Sequence, residues 1–422
     1  MAKIDLTELG STGLRRSGGT VHEEFLTALR GKKGARIYRE MSDNDPVVGS
    51  ILYAIEKIIL RLDWKVEPSS EEVIDIETAE FIESCLYDMS DSWDSTLSSI
   101  LSMLVFGYSY HEIVYKIRGG DSTDPTKKSA YSDGKVGWRK WSIRAQETHN
   151  NWLFDVDGGI QGFEQVDPWG AGLHRIPIEK SLLFRTSTQK NNPEGRSLLR
   201  TAYRPWYFKK RIEEIEAIGI ERDLAGLPVA YVPPEYLSST ATADQSATLA
   251  AIQAIVQNVK RNEQEGIVFP QVYNEQGNKM FDMTLLSTGG SRQFDTDKVI
   301  SRYDQRIAMS VLSDFILLGH ERTGSFALGS SKIDLWSMAV DAICKSIAEV
   351  LNQHAVPRLL ALNGMKVEKT PEITYSEVSH VELGEIADYV AKLTQVGALS
   401  PDANTEAYLR SLAGLPAIEE TM

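Results

Sequence analysis

Two runs of helical periodicity joined by a glycine-bearing loop, between Ser291 and Gly364, constrain this chain more than any other feature. In the first, Val299, Ile300, Tyr303, Ile307, Val311, Leu312 and Phe315 form an apolar stripe with Arg302, Asp304, Arg306 and Asp314 off it. That spacing predicts a helix from Gln293 to Leu318, closed by Gly319. A loop, His320 to Ser331, follows with Gly324 and Gly329 in it. Then Ile333, Trp336, Val340, Ile343, Ile347 and Val350 recur at steps of three and four and predict a second helix from near Ser331. Unbroken from Lys332 to Asn363 it would reach roughly 48 Å, and Pro357 predicts a kink before the end. Periodicity leaves two arrangements open: a helical hairpin in an ordinary core, or two helices holding a loop in an open space such as a pore.

Composition narrows the classes. The 422 residues suffice for two or three domains, and 42% hydrophobic with 25% charged residues describes a folded chain. No apolar run approaches the ~18 residues of a membrane span, and the first residues, polar and glycine-bearing, read as an arm that waits for a partner to order it. Cys85 and Cys344 both lie on apolar helical faces, which predicts buried free thiols. The net charge is −14, from 45 basic and 59 acidic residues. Tight binding to nucleic acid rests on lysine and arginine displacing counterions, so this balance argues against a tight DNA binder but not against a surface past which DNA slides.

Along the chain, Asp45 and Pro46 open a helix as N-cap and first helical residue. Helices over Val73 to Asp88 and Ser92 to Phe106 follow, and Gly107 hands the chain to a strand, Tyr108 to Ile117. From Asp121 to Thr186 the pattern is β: a strand Val136 to Ala145, a hairpin turning at Asp157-Gly158-Gly159, and a strand Ile176 to Phe184. A long helix, Ser197 to Leu224, carries Trp206, Ile212, Ile215 and Ile218 on its apolar positions. An α/β island from Ala225 to Leu286 separates that helix from the Gln293 helix. It contains a strand at Leu227 to Pro234, a helix at Asp244 to Arg261, and strands at Gly266 to Tyr273 and Met280 to Leu286. Met365 to Tyr375 predicts one more strand, and Val381 to Leu393 and Asp402 to Leu412 predict terminal helices.

Chemistry is sparse. Gly324 to Ser331 has P-loop glycine spacing, but Ser330 stands where the lysine belongs, Lys332 is two residues late, and a helix rather than a strand precedes it. No pair among the seven histidines has metal-ligand spacing, and His111-Glu112 lacks the second histidine of a zinc protease. His111 and Glu112 therefore read as ordinary surface or satisfied core residues. Lys209, Lys210 and Arg211 are the densest basic run, but Glu213 and Glu214 follow at i,i+4, which reads as a solvated, paired helix face. Trp206, Tyr207 and Phe208 read as packing aromatics, and Trp138, Trp141 and Trp152 as sheet core. No metal, no cofactor and no catalysis are expected.

Four segments, in this order, resemble the portal proteins of tailed bacteriophages, the Mu-like group above all. They are DNDPVVGSILYAIEKIILRLDWKVEP, FGYSYHEIVYKI, the run from IRAQETHNNWLFD through IPIEKSLLFRTSTQKNNPEGRSLLRTAYRPWYFKK to ERDLAGLPV, and GSSKIDLWSMAVDAICKSIAEVLNQHAVPRLLALN. The resemblance implies an α+β portal-type fold with long stem helices, a β-rich wing and a small α/β clip, assembling into a ring of normally twelve subunits at one capsid vertex. It divides the chain into an N-terminal arm (1–35), wing (36–196), stem helix (197–224), clip (225–286), stem helix (287–319), tunnel loop (320–331), long helix and wing return (332–378), and a small crown (379–422).

The family's roles, carried over, make the ring a channel for double-stranded DNA in packaging and ejection, seated among major capsid proteins without a membrane. The clip would dock the terminase and then the head-completion adaptor. The tunnel loop would place His320, Arg322, Thr323, Gly324, Ser325, Phe326 and Gly329, with Lys332 beside them, toward DNA. Lys209, Lys210, Arg211, Glu213, Glu214, Arg302 and Arg306 would serve the stem and the contacts between subunits. Assembly would take place in the host cytoplasm. Two other readings stay open on sequence: a DNA-processing enzyme with an unrecognised site in the β-rich region, and a scaffold module that binds partners through the island without touching DNA.

Overall fold

The computed structural model describes residues 10–167, 169–170, 172–225, 227–258, 272–273, 276–277, 279–286, 295–310 and 326–378. The chain divides into two compact units, Met1–Arg200 with Leu312–Met422, and Thr201–Val311.

The first unit opens with a two-residue ribbon, β1 (Arg16–Ser17) and β2 (Thr20–Val21), and helix α1 (Gly31–Asn44). Helix α2 (Pro46–Arg61) starts where the sequence requires: Asp45 Oδ1 accepts from the Val47 and Val48 amides, each at 3.0 Å, and Pro46 has no amide to satisfy. Strand β3 (Trp64–Glu67), helix α3 (Val73–Tyr87) and helix α4 (Trp93–Phe106) follow. Gly107 ends α4 at φ +95°, and a Cβ there would lie 2.4 Å from the Glu194 carbonyl oxygen, so only glycine fits.

The β-rich region forms two three-stranded antiparallel sheets. One orders β5 (Val136–Arg144), β4 (Tyr108–Ile117) and β9 (Ser181–Arg185), and the other β6 (His149–Phe154), β7 (Ile160–Val166) and β8 (Leu173–Pro177). The expected single strand Ile176 to Phe184 is in fact two. Pro177 ends β8, a 3₁₀ turn over Ile178–Lys180 redirects the chain, and β9 joins the other sheet. Between the sheets Tyr110 stacks on Phe163 at 4.8 Å, with Trp152, Tyr108, Ile176 and Leu183 around them. The period-2 alternation of β4 and β9 sends Ser109, His111, Leu182 and Phe184 to the opposite face, where the Ser109 hydroxyl donates to the Ile100 carbonyl of α4. Trp138 and Trp141 are buried with Trp93 of α4, as sheet-core residues.

The N-terminal segment is no loose arm from residue 10 onward. Val21 and Leu29 are buried, and the Trp152 amide donates to the Gly19 carbonyl at 2.9 Å. Glu24 pairs with Arg200 (Nη2 to Oε1 2.8 Å), and Glu23 with Lys190 at 2.9 Å. Two short apolar anchors among polar residues escape a reading based on overall polarity. Residues 1–9 lie outside the described residues.

The second unit contains helix α5 (Tyr203–Ala225), strand β10 (Leu227–Tyr231), helix α6 (Ala243–Asn258), strand β11 (Asp282–Leu286) and helix α7 (Thr296–Ser310). Helix α5 starts later than Ser197 because Pro205, lacking an amide hydrogen, fits only within a first turn. A separate 3₁₀ turn covers Leu198–Arg200. Strands β10 and β11 pair antiparallel from Leu227↔Leu286 to Tyr231↔Asp282. Tyr236 meets Phe281 edge-on at 5.3 Å, and Ile252 of α6 is buried. The expected strand from Gly266 falls mostly outside the described residues; Tyr273 bridges to Lys279 across the Gly277 turn.

The chain returns to the first unit through helix α8 (Phe326–Val350), a π-helical turn Leu351–Ala355, helix α9 (Val356–Leu362) and strand β12 (Glu372–Tyr375). Pro357 can neither donate to the carbonyl one turn earlier nor tolerate its approach, and the helix widens just before it. Strand β12 pairs with β3, Tyr375 opposite Trp64, their rings 5.2 Å apart. Cys85 and Cys344 are buried free thiols; burial raises both, Cys344 to about 12. The expected terminal helices Val381 to Leu393 and Asp402 to Leu412 lie outside the described residues.

Candidate functional site

The functional candidates concentrate on α5 and α7, which run antiparallel. Thr201 approaches Ser310 at one end and Thr296 bonds Glu216 at the other, while Phe208 stacks on Tyr303 between them. Lys209 is not on a solvated face. Its side chain is 3% exposed, and its ammonium sits 2.6 Å from Asp304 of α7 and 4.0 Å from Glu213. The i,i+4 pair with Glu213 is present, but the shorter bond crosses between helices. A sequence pattern sees only neighbours along one helix, so Asp304 is the partner it missed.

The remaining charges are peripheral. Arg211 pairs with Glu214 at 3.1 Å, and both are exposed, as is Glu213. Lys210 lies 5.6 Å from the Trp206 ring, and Arg302 and Arg306 flank Tyr303 at 5.6 and 5.8 Å. Trp206 is buried, whereas Tyr207 and Phe208 are partly exposed.

The apolar stripe expected along this helix is only partly buried. Ile215 is 68% exposed, and Ile218 and Ile220 are also exposed, together with Met309 of α7. One partner helix covers one face, and apolar residues spread around α5 exceed it. The signal was in the sequence: isoleucines at 212, 215, 218 and 220 do not share a single 100° stripe. Ile215 and Ile218, three residues apart, are neighbours on one side of α5 and form a candidate contact face.

Of the residues expected to face DNA, His320, Arg322, Thr323, Gly324 and Ser325 lie outside the described residues. Phe326, Gly329 and Lys332 belong to α8, which begins at Phe326 rather than near Ser331. The loop is therefore shorter than expected at its C-terminal end. Ala327 and Leu328 are strong helix formers, and Gly329 costs only about 1 kcal/mol inside a helix.

Elsewhere the titratable groups are structural. His111 is buried with Nδ1 3.2 Å from the Trp141 carbonyl, and burial pushes it down to about 4; burial does the same to His149. Glu112 is held by Arg144 and by Lys180 at 2.8 Å. Lys116 pairs with Asp88 at 2.8 Å below the surface. Burial pushes Glu194 up to about 7. Among the described residues no group of three or more His, Cys, Asp or Glu is placed to hold a metal ion, and no helix is long and apolar enough to cross a membrane.

The described residues make an α+β chain with a long helical pair, α5 and α7, that leaves isoleucines exposed. The family model described as the portal protein of Mu bacteriophage matches residues 35–415. The chain belongs to that family, and its role is that of a portal protein, a structural component of the phage particle. Among solved structures it is similar to a chain in the neck of an empty GTA particle computed with C6 symmetry, at 12% identity over 90% of this chain and 94% of that one, with a TM-score of 0.49. It is also similar to the neck of the native GTA particle computed with C12 symmetry, at 12% identity, with coverage of 90% and 94% and a TM-score of 0.48. A third is an HK97 family phage portal protein from Corynebacterium diphtheriae, at 10% identity, with coverage of 81% and 94% and a TM-score of 0.41.

Proposed function

We propose that the chain assembles head-to-tail into a closed ring of twelve at one capsid vertex, through which double-stranded DNA enters and leaves. The observation that carries this is the α5–α7 pair: fixed internally by Lys209 and Asp304, it leaves Ile215, Ile218 and Ile220 uncovered. A rigid helical pair with an apolar outer face suits repeated lateral contact, and such contacts close into a ring when the rotation between copies permits. In this reading residues 197–224 and 287–319 form the stem. The island 225–286 is the clip that docks the terminase and then the head-completion adaptor, and 36–196 with 332–378 form the wing against the major capsid protein. Residues 379–422 supply a small crown. The segment around Arg322 to Ser325 faces the channel, with Lys332 close behind it. The chain itself catalyses nothing, and packaging energy comes from the terminase. Net negative charge supports a conduit over a binder, because weak phosphate attraction lets DNA slide.

Deleting Thr323 to Gly329 tests the DNA-facing role. Rings of the deleted chain are expected to form normally while packaging or retention of DNA falls. Normal packaging and retention with the shortened segment would remove that role.

A further inference from the structure

Two helices of the first unit carry opposite, unanswered charge. In α1 the buried face is Gly34, Ala35, Tyr38 and Met41, and Lys32, Lys33 and Arg36 are exposed on the other side. These cations occupy the first turn and a half, where the helix dipole is positive, and no acidic residue stands in that turn. Their placement costs the isolated helix stability, and none of the three makes an ion pair among the described residues. Phe25, six residues before the helix starts, is 75% exposed, with the Arg200 guanidinium 5.7 Å from its ring.

Helix α3 shows the complement. It packs on β3 and β5 through Thr78, Phe81, Ile82 and Cys85. Its outer face carries Val73, Ile76, Glu77 and Glu80 at helical spacing, with Glu71 just before it. Val73 is 71% exposed and Ile74 58%. Glu71, Glu77 and Glu80 make no ion pair among the described residues. Helix α1 packs instead against α2, α4 and the turn at Gln146–Thr148, so the two helices are anchored on different elements of the unit.

We propose that these faces meet between neighbouring copies, the α1 face of one against the α3 face of the next. This deepens the ring reading and rests on it: a closed head-to-tail contact needs two different complementary faces on each chain. Cations meet carboxylates, and Phe25 meets Val73 and Ile74. The exposed apolar side chains on both faces favour a protein partner over nucleic acid, whose phosphates would leave them in water.

Charge reversal tests the pairing. One variant carries Lys32→Glu, Lys33→Glu and Arg36→Glu; the other carries Glu71→Lys, Glu77→Lys and Glu80→Lys. Each alone is expected to lower the ring fraction at low ionic strength by about tenfold or more, because like charges then face each other. An equimolar mixture of the two is expected to restore rings, since every contact in an alternating ring is again complementary. Circular dichroism checks folding, and the single pair Arg36→Glu with Glu77→Lys replaces any triple variant that misfolds. Wild-type rings together with unimpaired rings from either variant would overturn the contact and leave the ring standing. So would variants that fold, fail alone and fail mixed. Intact rings of the first variant that lose binding to a short DNA duplex would make phosphate the partner instead. A wild-type chain that forms no closed oligomer overturns the ring and this contact with it.

Discussion

The Lys209 ammonium of α5 lies 2.6 Å from the Asp304 carboxylate of α7, almost out of contact with water. A lysine so placed is held by its partner, and removing either charge strands the other in a poorly solvated site. Lys209→Ala is expected to cost about 2 kcal/mol, discounted from a fully buried pair because Asp304 keeps a quarter of its side-chain exposure. Lys209→Met with Asp304→Leu is expected to recover most of that loss. Hydrogen exchange of the α7 amides reads both; unchanged protection in Lys209→Ala would show that the pair contributes nothing.

The uncovered isoleucines give the second prediction. Ile215→Asp with Ile218→Asp acts on side chains 68% and 49% exposed, so monomer stability is expected to stay within about 1 kcal/mol of wild type. Ring formation is expected to fall by roughly tenfold or more if the face is an interface core. Sedimentation velocity at matched concentration separates the two effects.

The N-terminal segment from residue 10 to 30, a strap pinned by Val21 and the Glu24–Arg200 pair, gives the third. Val21→Ala, which empties part of the core shared by Tyr110, Trp152 and Phe163, is expected to destabilise by about 1–2 kcal/mol. Glu24→Ala instead releases Arg200 and is expected to increase proteolytic cleavage of residues 10–30 severalfold with a smaller effect on melting. Equal cleavage of wild type and Glu24→Ala would show that the ion pair does not hold the strap.

Glu194 gives a pH dependence of definite sign. Burial raises its folded-state value to about 7, above the ~4.3 of an unfolded glutamate. Its contribution is therefore fully present below about pH 4 and is lost as pH rises through about 7. His149, pushed down to about 4, works oppositely: its contribution is present above about 6.5 and lost as pH falls toward 4. The comparison of Glu194→Gln with wild type isolates the carboxyl. At pH 8 the variant is expected to be the more stable, by roughly 3–4 kcal/mol, and the difference is expected to vanish near pH 4. Denaturant melts between pH 5 and 8 check it; a difference independent of pH would contradict the assignment.

Elements set by local chemistry were legible in the sequence. Asp45 with Pro46, Ser92, and Gly107 fix helix ends through contacts within a few residues, and β4 runs over the span its apolar pattern predicts. What long-range packing decides was not legible. The partner of β3 stands more than three hundred residues away in β12, and Pro177 divides one apolar run between two sheets. Helix α8 reaches back to Phe326 through residues whose propensity suits helix as well as loop. At the site, the basic run at Lys209 was visible but its partner was not, because Asp304 is a neighbour only once α7 folds back on α5. The spread of isoleucines around α5 was visible, but which of them α7 would leave uncovered was not, since periodicity does not report what covers a face.

The mass and symmetry of the purified protein decide whether the ring closes. Native mass spectrometry with electron-microscope class averages is expected to give twelve copies of the 47.1 kDa chain, about 565 kDa, with twelve-fold averages around a central channel. A chain that remains monomeric under all assembly conditions, or that forms only open polymers, would contradict the account.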